Sequence, residues 1–385
     1  MSLVLDEHRE YLSDAARIAA FRHAIEEVVR PGDVVLDLGA GTGILGLMAC
    51  RAGAKRVYAV EEGSIVGLAR EIARANGLED RIHHVKGLST RVSLPERVDV
   101  VVADQIGRFG FEAGVVEYFA DARERLLAPD GAVIPRAITL LVAPVECPEL
   151  FANVEFWDQT PAGHEFRPAR AIAQNTGYPA RFHASQLLGP PAAALTLDLS
   201  TASPAILGAQ LVLPATRRGT LHGLGGWFEA RLSAGAVLTN SPVAARAIQR
   251  RQVFLPIARP VEVAQGDEIR VSLTIRPADV VVGWTVEVHT RIAGEAQARH
   301  CEARFAHSTL QGMLLCREDL TRTHPRFVPR LSGWGQARRS VLELCDGQRP
   351  LEEIEREVHR RHPGLFRSFG EVAGFVTEVV TRYAE

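Results

Sequence analysis

The stretch Val34-Val-Leu-Asp37-Leu-Gly39-Ala-Gly41-Thr-Gly43-Ile44 constrains this chain more than any other. A short apolar run enters three alternating glycines, and an apolar run through Ala52 follows. The pattern is that of a buried strand, a glycine turn and a helix. Glycines let the backbone approach a ligand closely, and the first turn of the helix offers unpaired N–H groups. Strand and helix signals alternate on both sides. Glu7 to Val29 has helical spacing and stops before Pro31-Gly32. Arg56 to Val60, Ile82 to Val85 and Val98 to Ala103 read as strands, with a helix over Ser64–Asn76. A helix over Val115–Leu127 closes on Pro129-Asp-Gly131, and a strand starts at Ala132. This rhythm implies a parallel sheet with right-handed crossovers, a Rossmann-like α/β domain over residues 1–136.

After Pro135 the period changes. Ile138–Val142, Ala193–Leu199, Ile206–Leu213, Thr220–Leu232, Val253–Pro256, Glu268–Ile275 and Trp284–Thr290 alternate or are β-branched, punctuated by Gly and Pro. They predict an antiparallel sandwich or barrel over residues 137–312. Trp157 to Pro190 has no regular period. From about residue 313 the helical period returns, in Trp334–Cys345, Leu351–His359 and Phe369–Tyr383, with a short strand expected at Phe327–Leu331. Residues 313–385 therefore read as a small helical, winged-helix-like module.

The chain's 385 residues, 46% of them apolar, suffice for two or three domains. A net charge of −2 does not suit a general nucleic-acid binder. Five cysteines (Cys50, Cys147, Cys301, Cys316, Cys345) are scattered and never spaced Cys-x-x-Cys, which fits reduced thiols better than a disulfide framework or a metal site. No basic segment leads into an apolar run at Met1, and no run approaches the ~18 apolar residues of a membrane span. The expected location is cytoplasmic, without membrane contact.

Charge separates the ligands the glycine turn could take. Gly41, Gly43 and Gly46 also satisfy Gly-x-Gly-x-x-Gly, so a dinucleotide has to be weighed. Asp37, at the strand end, would repel a pyrophosphate. S-adenosylmethionine (SAM) has no phosphate, and its ammonium and sulfonium are cationic, so a nearby acid is tolerated or helpful. Glu61-Glu62, at the end of the second strand, suits ribose hydroxyls in either cofactor and does not discriminate. SAM is the expected cofactor.

Over about residues 8 to 300 the chain resembles the protein arginine methyltransferase family. The resemblance rests on the glycine turn with Leu45–Ala54, on Val57-Tyr-Ala-Val-Glu61, Val85-Lys-Gly87, Leu127-Ala-Pro-Asp-Gly131 and Ile134-Pro135. It continues in Leu221-His-Gly, Trp227-Phe228, Gly266-Asp-Glu-Ile269 and Arg276-Pro277. It implies a SAM-binding domain followed by a β-barrel that helps enclose the acceptor. His8-x-x-Tyr11-Leu-x-Asp14-x-x-Arg17-x-x-x-Phe21 resembles a family segment that covers the cofactor, with Arg17 pairing to the SAM carboxylate. The alternative for Arg17 is a surface pair with Asp14, one helical turn away. The expected cofactor set is Arg17, Asp37, Gly39, Gly41, Gly43, Glu61 and Leu88. The family's two active-site glutamates correspond to Asp104 and Glu112, with one residue missing between them. Two carboxylates suit methylation of a nitrogen, since they orient the acceptor and accept its proton. The family's Thr-His-Trp loop is replaced by Ala247-Ile-Gln249-Arg250-Arg251-Gln252, and a basic loop is a poor enclosure for a guanidinium. The alternative for these arginines is a solvated loop. The family commonly dimerises through an arm, none stands out here, and the reading leans only towards a homodimer.

The C-terminal residues resemble the PqqD-like peptide-recognition module of ribosomal-peptide-modifying enzymes, through Pro329-Arg-Leu-Ser332, Val341-Leu-Glu-Leu-Cys-Asp-Gly347 and Leu351-Glu-Glu-Ile354. The resemblance implies short strands before a three-helix bundle, onto which a precursor's leader peptide adds as a strand. The alternative is a generic helical cap. Together the two resemblances imply a SAM-dependent methyltransferase that captures a precursor peptide and methylates a core residue. Nitrogen is favoured over a carboxylate oxygen. A small-molecule methyltransferase and a non-catalytic SAM-binding delivery protein are the competing readings.

Overall fold

Val34–Leu38 is apolar at every position but Asp37, and all five residues are buried, as a strand covered on both faces requires. In the computed structural model, which describes residues 4–291 and 299–384, this strand lies at the centre of a parallel sheet. The elements in order are α1 (Val4–Ser13), α2 (Ala15–Val28), β1 (Val34–Leu38), α3 (Ile44–Ala52), β2 (Arg56–Glu61), α4 (Val66–Ala75), β3 (Ile82–Lys86), β4 (Val98–Val102), α5 (Val115–Arg125) and β5 (Leu127–Ile134). The strand order β3-β2-β1-β4-β5 reverses direction of progression between β1 and β4. Ligands of such sheets bind at that switch point, beyond the carboxyl ends of the strands. The glycine turn leaves the end of β1, and Asp104 follows the end of β4, so the topology alone brings them together.

Two boundaries differ from the expectation. The helix expected over Glu7–Val29 is interrupted at Asp14. That residue adopts extended backbone and caps α2 by accepting a hydrogen bond from the Arg17 amide at 3.2 Å. Pro129-Asp-Gly131 does not close a helix either: it lies within β5, paired to β4 with a register irregularity.

The antiparallel part comprises β6 (Ala137–Val145), α6 (Pro148–Glu155), α7 (Arg170–Ala173), β7 (Tyr178–Ala180), β8 (Ala192–Asp198), β9 (Leu207–Pro214), β10 (Gly219–Arg231), β11 (Val237–Thr239), β12 (Gln252–Val263), β13 (Glu268–Arg276), β14 (Val281–Arg291) and β15 (Arg299–Ser308). Two sheets form, β7-β12-β10-β6-β8 with β11 beside β10, and β15-β14-β13-β9. The architecture is barrel-like, but no closed barrel forms among the described residues. Strand β13 shows the expected alternation, with Ile269, Val271, Leu273 and Ile275 buried and the intervening residues outward. The stretch without a sequence period, Trp157–Pro190, holds α7, β7 and short 3-10 turns, and α6 just before it packs Phe151 and Val154 with Phe182 and Phe254. One hydrophobic core runs from Phe21 and Leu36 in the α/β part through Leu140 and Phe228 to Val286.

Residues Leu314–Glu385 form a second compact unit, distinct from Met1–Met313. It holds α8 (Arg317–Arg322), α9 (Gly333–Leu344), α10 (Leu351–Arg361) and α11 (Phe369–Tyr383). Ser332 and Ser368 cap α9 and α11, their hydroxyl oxygens accepting from the Gly335 and Glu371 amides at 3.2 Å each. Ala337, Val341 and Leu344 meet Ile354, Val358, Val372, Val376 and Val379 in a core of their own. Spacings of three and four residues put these side chains on one face of each helix. The strand expected at Phe327–Leu331 does not form, nor does any strand among the described residues of this unit. Pro325 and Pro329 remove two amide donors, and the segment has no second strand to pair with.

Val376→Ala should remove about 2 kcal/mol from the small core, from two lost methyl groups and the cavity they leave. Amide exchange of the slowest protons in α9, α10 and α11 should then speed up by roughly thirtyfold.

Candidate active site

A cavity of about 1080 Å³ opens at the switch point. One side is the glycine turn. Gly39, Gly41 and Gly43 have φ of +69°, +55° and +83°, the left-handed region that side chains resist. A Cβ on Gly39 would collide with the Gln105 side chain, and one on Gly41 would lie 2.5 Å from His8 Cε1. Helix α1 therefore lies against the turn, and only glycine leaves it this room. Glu61 ends β2 and spans the turn, accepting from the Gly41 amide at 2.9 Å and the Gly63 amide at 2.7 Å.

Beneath the turn lies Asp37, fully buried. Its Oδ2 accepts from the Gly46 amide at 2.8 Å, whereas Oδ1 has no partner among the described residues. Burial pushes its carboxyl up to about 7, against the Gly46 bond, with Glu61 adding to the rise. An orphaned buried carboxylate oxygen under an open glycine turn fits a cationic ligand and disfavours a pyrophosphate.

Asp104 occupies the far side and is 8% exposed. It receives Arg17 Nε at 2.5 Å and two bonds from Arg250, Nη1 at 3.2 Å and Nη2 at 2.9 Å. Burial acts to raise its pKa, but the two guanidinium groups outweigh it and hold the carboxyl below its usual value. Arg17 is buried as well, with its guanidinium near the Tyr11 and Phe21 rings at 5.2 and 5.5 Å. Arg17 is thus not in a surface pair with Asp14. The Asp14 carboxylate instead caps α2 and accepts from the Gln249 amide at 2.6 Å.

Glu112 lines the same cavity but faces its own loop. It accepts from the Arg108, Phe109 and Phe111 amides between 2.9 and 3.2 Å. Gly107, with φ +83°, makes this possible, since a Cβ there would overlap the Glu112 carboxylate. Phe109 and Phe111 anchor the loop in the core, and Phe109 lies against the bare face of Gly226 on β10. Asn240, fully buried, clamps this loop to the next one: Nδ2 donates to Arg108 O at 2.8 Å and to Arg251 O at 3.0 Å.

The structure therefore brings Arg17, Gly39, Gly41, Glu61, Asp104 and Glu112 to one cavity. Asp37 supports the turn from below, and Gly43 caps α3. Leu88 is half-buried in the bend after β3 and does not line the cavity. Sequence reading did not assign roles to Gln105, Gln249, Arg108 and Arg181, which also line it, nor foresee that Arg250 turns inward. Only the closeness of Arg250 to the position of an enclosing loop hinted at the last.

This sheet order, with a glycine turn over an acid and acids grouped at the switch point, is that of a SAM-dependent methyltransferase. A family model described as "Ribosomal protein L11 methyltransferase (PrmA)" matches residues 22–138. Another, "Arginine methyltransferase oligomerization subdomain", matches residues 136–287. The protein arginine N-methyltransferase PRMT10 of Oryza sativa subsp. japonica is 30% identical over 312 residues, 70% of this chain and 80% of that protein. The probable protein arginine N-methyltransferase 6 of Arabidopsis thaliana is 37% identical over 153 residues, 39% of this chain and 35% of that protein. The fold is that of a Trypanosoma brucei PRMT1 enzyme–prozyme heterotetrameric complex with AdoHcy, with TM-score 0.69, 23% identity, and coverage of 78% of this chain and 97% of that chain. The chain belongs to the protein arginine methyltransferase family and uses SAM as its cofactor.

Asp37 supplies a pH test. Its folded pKa lies above the ordinary carboxylate value, so ionisation in the fold costs stability. The cost is absent below about pH 4, grows as pH rises towards 7 and is constant above. Without cofactor, Asp37→Asn should gain on the wild type across that window, by on the order of a few kcal/mol. Urea denaturation at several pH values reads this directly, and a gap independent of pH would show Asp37 ionised throughout.

Proposed function

We propose that this protein transfers a methyl group to a nitrogen of a peptide or protein substrate, the acceptor by kinship being the arginine side chain. The observation that carries the reading is the convergence of the glycine turn, Glu61, Arg17 and Asp104 on one cavity at the switch point. SAM, when bound, supplies a methyl group already activated on a sulfonium, so the protein's task is mainly positioning. Arg17, with Nη2 unused among the described residues, would hold the cofactor carboxylate. Gly39 and Gly41 would give it backbone room, with Gly43 at the head of α3 and Leu88 in the outer set. Glu61 would accept from ribose hydroxyls, and Asp37 would balance its positive charge. Asp104 and Glu112 would orient the acceptor nitrogen, Glu112 through the loop it holds in shape.

Residues 137–312 would form the acceptor domain and residues 313–385 the peptide-recognition module. Support for the latter is the row of exposed apolar side chains Leu314, Leu315, Leu320, Val328, Leu331 and Trp334. Trp334 also closes on Phe366 and Phe375, with ring centres at 5.3 and 5.5 Å. With no strand among the described residues of this unit, a leader peptide would dock on helices and aromatic side chains rather than extend a sheet. Tethering a substrate there raises its concentration at the cavity and relaxes what the active site must select.

A carboxylate oxygen is a second acceptor, favoured by the four arginines that line the cavity besides Arg17, namely Arg108, Arg181, Arg250 and Arg251. Mass spectrometry tests both readings. A candidate precursor peptide co-expressed with the full chain should gain one CH₂ in mass, on a nitrogen by fragmentation, and the gain should drop at least tenfold when residues 314–385 are deleted. A base-labile gain would assign the oxygen. Equal gain without the tail would remove its role in recognition, and no gain on any peptide would refute the proposal.

A further inference from the structure

Arg250 is seated as a bound guanidinium would be. Two of its nitrogens donate to Asp104, and Nη1 also reaches Gly107 O at 3.4 Å. Its guanidinium carbon lies 5.7 Å from the Tyr11 ring centre and 6.0 Å from that of Phe228. The side chain is 12% exposed although it lines a large polar cavity. A buried carboxylate, a carbonyl oxygen and two aromatic rings are the groups that recognise a planar cation.

We infer that Arg250 is an internal occupant of a guanidinium-binding site, so that a cationic acceptor must compete with it for Asp104. Arg250 is then the specificity-determining residue of the cavity. The site as a guanidinium receptor stands on geometry alone, whereas its use in selecting the acceptor rests on the methyl-transfer reading. With Arg17 and Arg250 both in place, the Asp104 carboxylate is already paired twice, and a further cation must displace one of the two to reach it. A neutral or anionic acceptor meets no such penalty. An arginine acceptor gains Asp104 only when Arg250 leaves.

What leaves is the side chain and not the loop. On one side of Arg250 the Gln249 amide is bound to Asp14, and on the other Arg251 O is held by Asn240. Gln252 then enters β12, its Nε2 donating to Asn240 O at 2.6 Å. The backbone is therefore fixed at both neighbours, while the guanidinium rests on non-covalent contacts that an equal group can replace. Because the competitor is tethered, its effective concentration is high, and an external guanidinium must overcome it.

The test uses ethylguanidinium as the probe with full-length wild type, Arg250→Ala and Arg250→Lys. Ethylguanidinium should raise the melting temperature of Arg250→Ala saturably and bind it at least tenfold more tightly than the wild type by calorimetry. If the alanine variant folds only when the probe is present, that also supports the inference. If it does not fold at all, Arg250→Lys decides, since it keeps a charge beside Asp104 without the planar fork, and should bind the probe several-fold more tightly than wild type. Equal probe affinity for wild type and a folded variant would overturn the inference. An arginine-containing peptide with SAM gives the second readout: kcat/KM should rise at least tenfold in the variant, through a lower KM. Probe binding that changes without methylation by either protein would leave the receptor standing and sink the methyl-transfer reading. Methylation with unchanged probe binding would do the reverse.

Discussion

The Asp104 carboxylate is the joint on which the rest of the site depends. It is buried after β4, yet ionised, because Arg17 from α2 and Arg250 from the segment before β12 both donate to it. An isolated buried charge is costly, and removing one partner of such a pair commonly costs about 3–5 kcal/mol. The three elements are thereby held in one arrangement, with α1 and α2 kept over the glycine turn. The Asp14 bond to Gln249 repeats the link between the same two segments.

Close approach is the second constraint, and glycines meet it. Gly226 on β10 leaves room for Phe109, and Gly110, with φ +106°, fits against Ile138 and Phe228. These contacts draw the loop after β4 onto the antiparallel sheet, while Gly107 lets the loop turn around Glu112. The two acids are consequently in different states. Asp104 is neutralised by side chains, and Glu112 is saturated by backbone amides of its own loop. Neither is a free base in this arrangement. On the function proposed above, the chemistry of the cavity would be governed by which cation holds Asp104 and by the shape that Glu112 gives the loop.

The C-terminal unit follows a different logic. Its helices bury valines, Ile354, Leu344 and Phe366 in a core of their own, while Leu315, Leu320, Val328, Leu331 and Trp334 are exposed. Among the described residues no strand of this unit offers backbone groups to a partner.

Much of this was legible in the sequence. Periodicities of two and 3.6 residues are local, so the parallel sheet, the antiparallel strands and the three C-terminal helices could be read directly. The glycine turn and Asp37 declared their ligand class through backbone freedom and charge. Breaks set by a single cap escaped, as at Asp14, because a capping side chain competes with helix continuation only when its partner amide is in place. The strand expected at Phe327–Leu331 failed because a strand exists only by pairing, which local sequence cannot supply. The sequence also named Asp104, Glu112, Arg17 and Arg250 without saying that three of them meet. That meeting spans more than 230 positions from Arg17 to Arg250, and electrostatic pairing at that separation is decided by where the fold puts each charge. Residue type and spacing determined the cofactor class and the layers of the fold. Only the tertiary structure decided that an arginine of the chain itself would hold Asp104, because charges so far apart in sequence pair only where the fold brings them together.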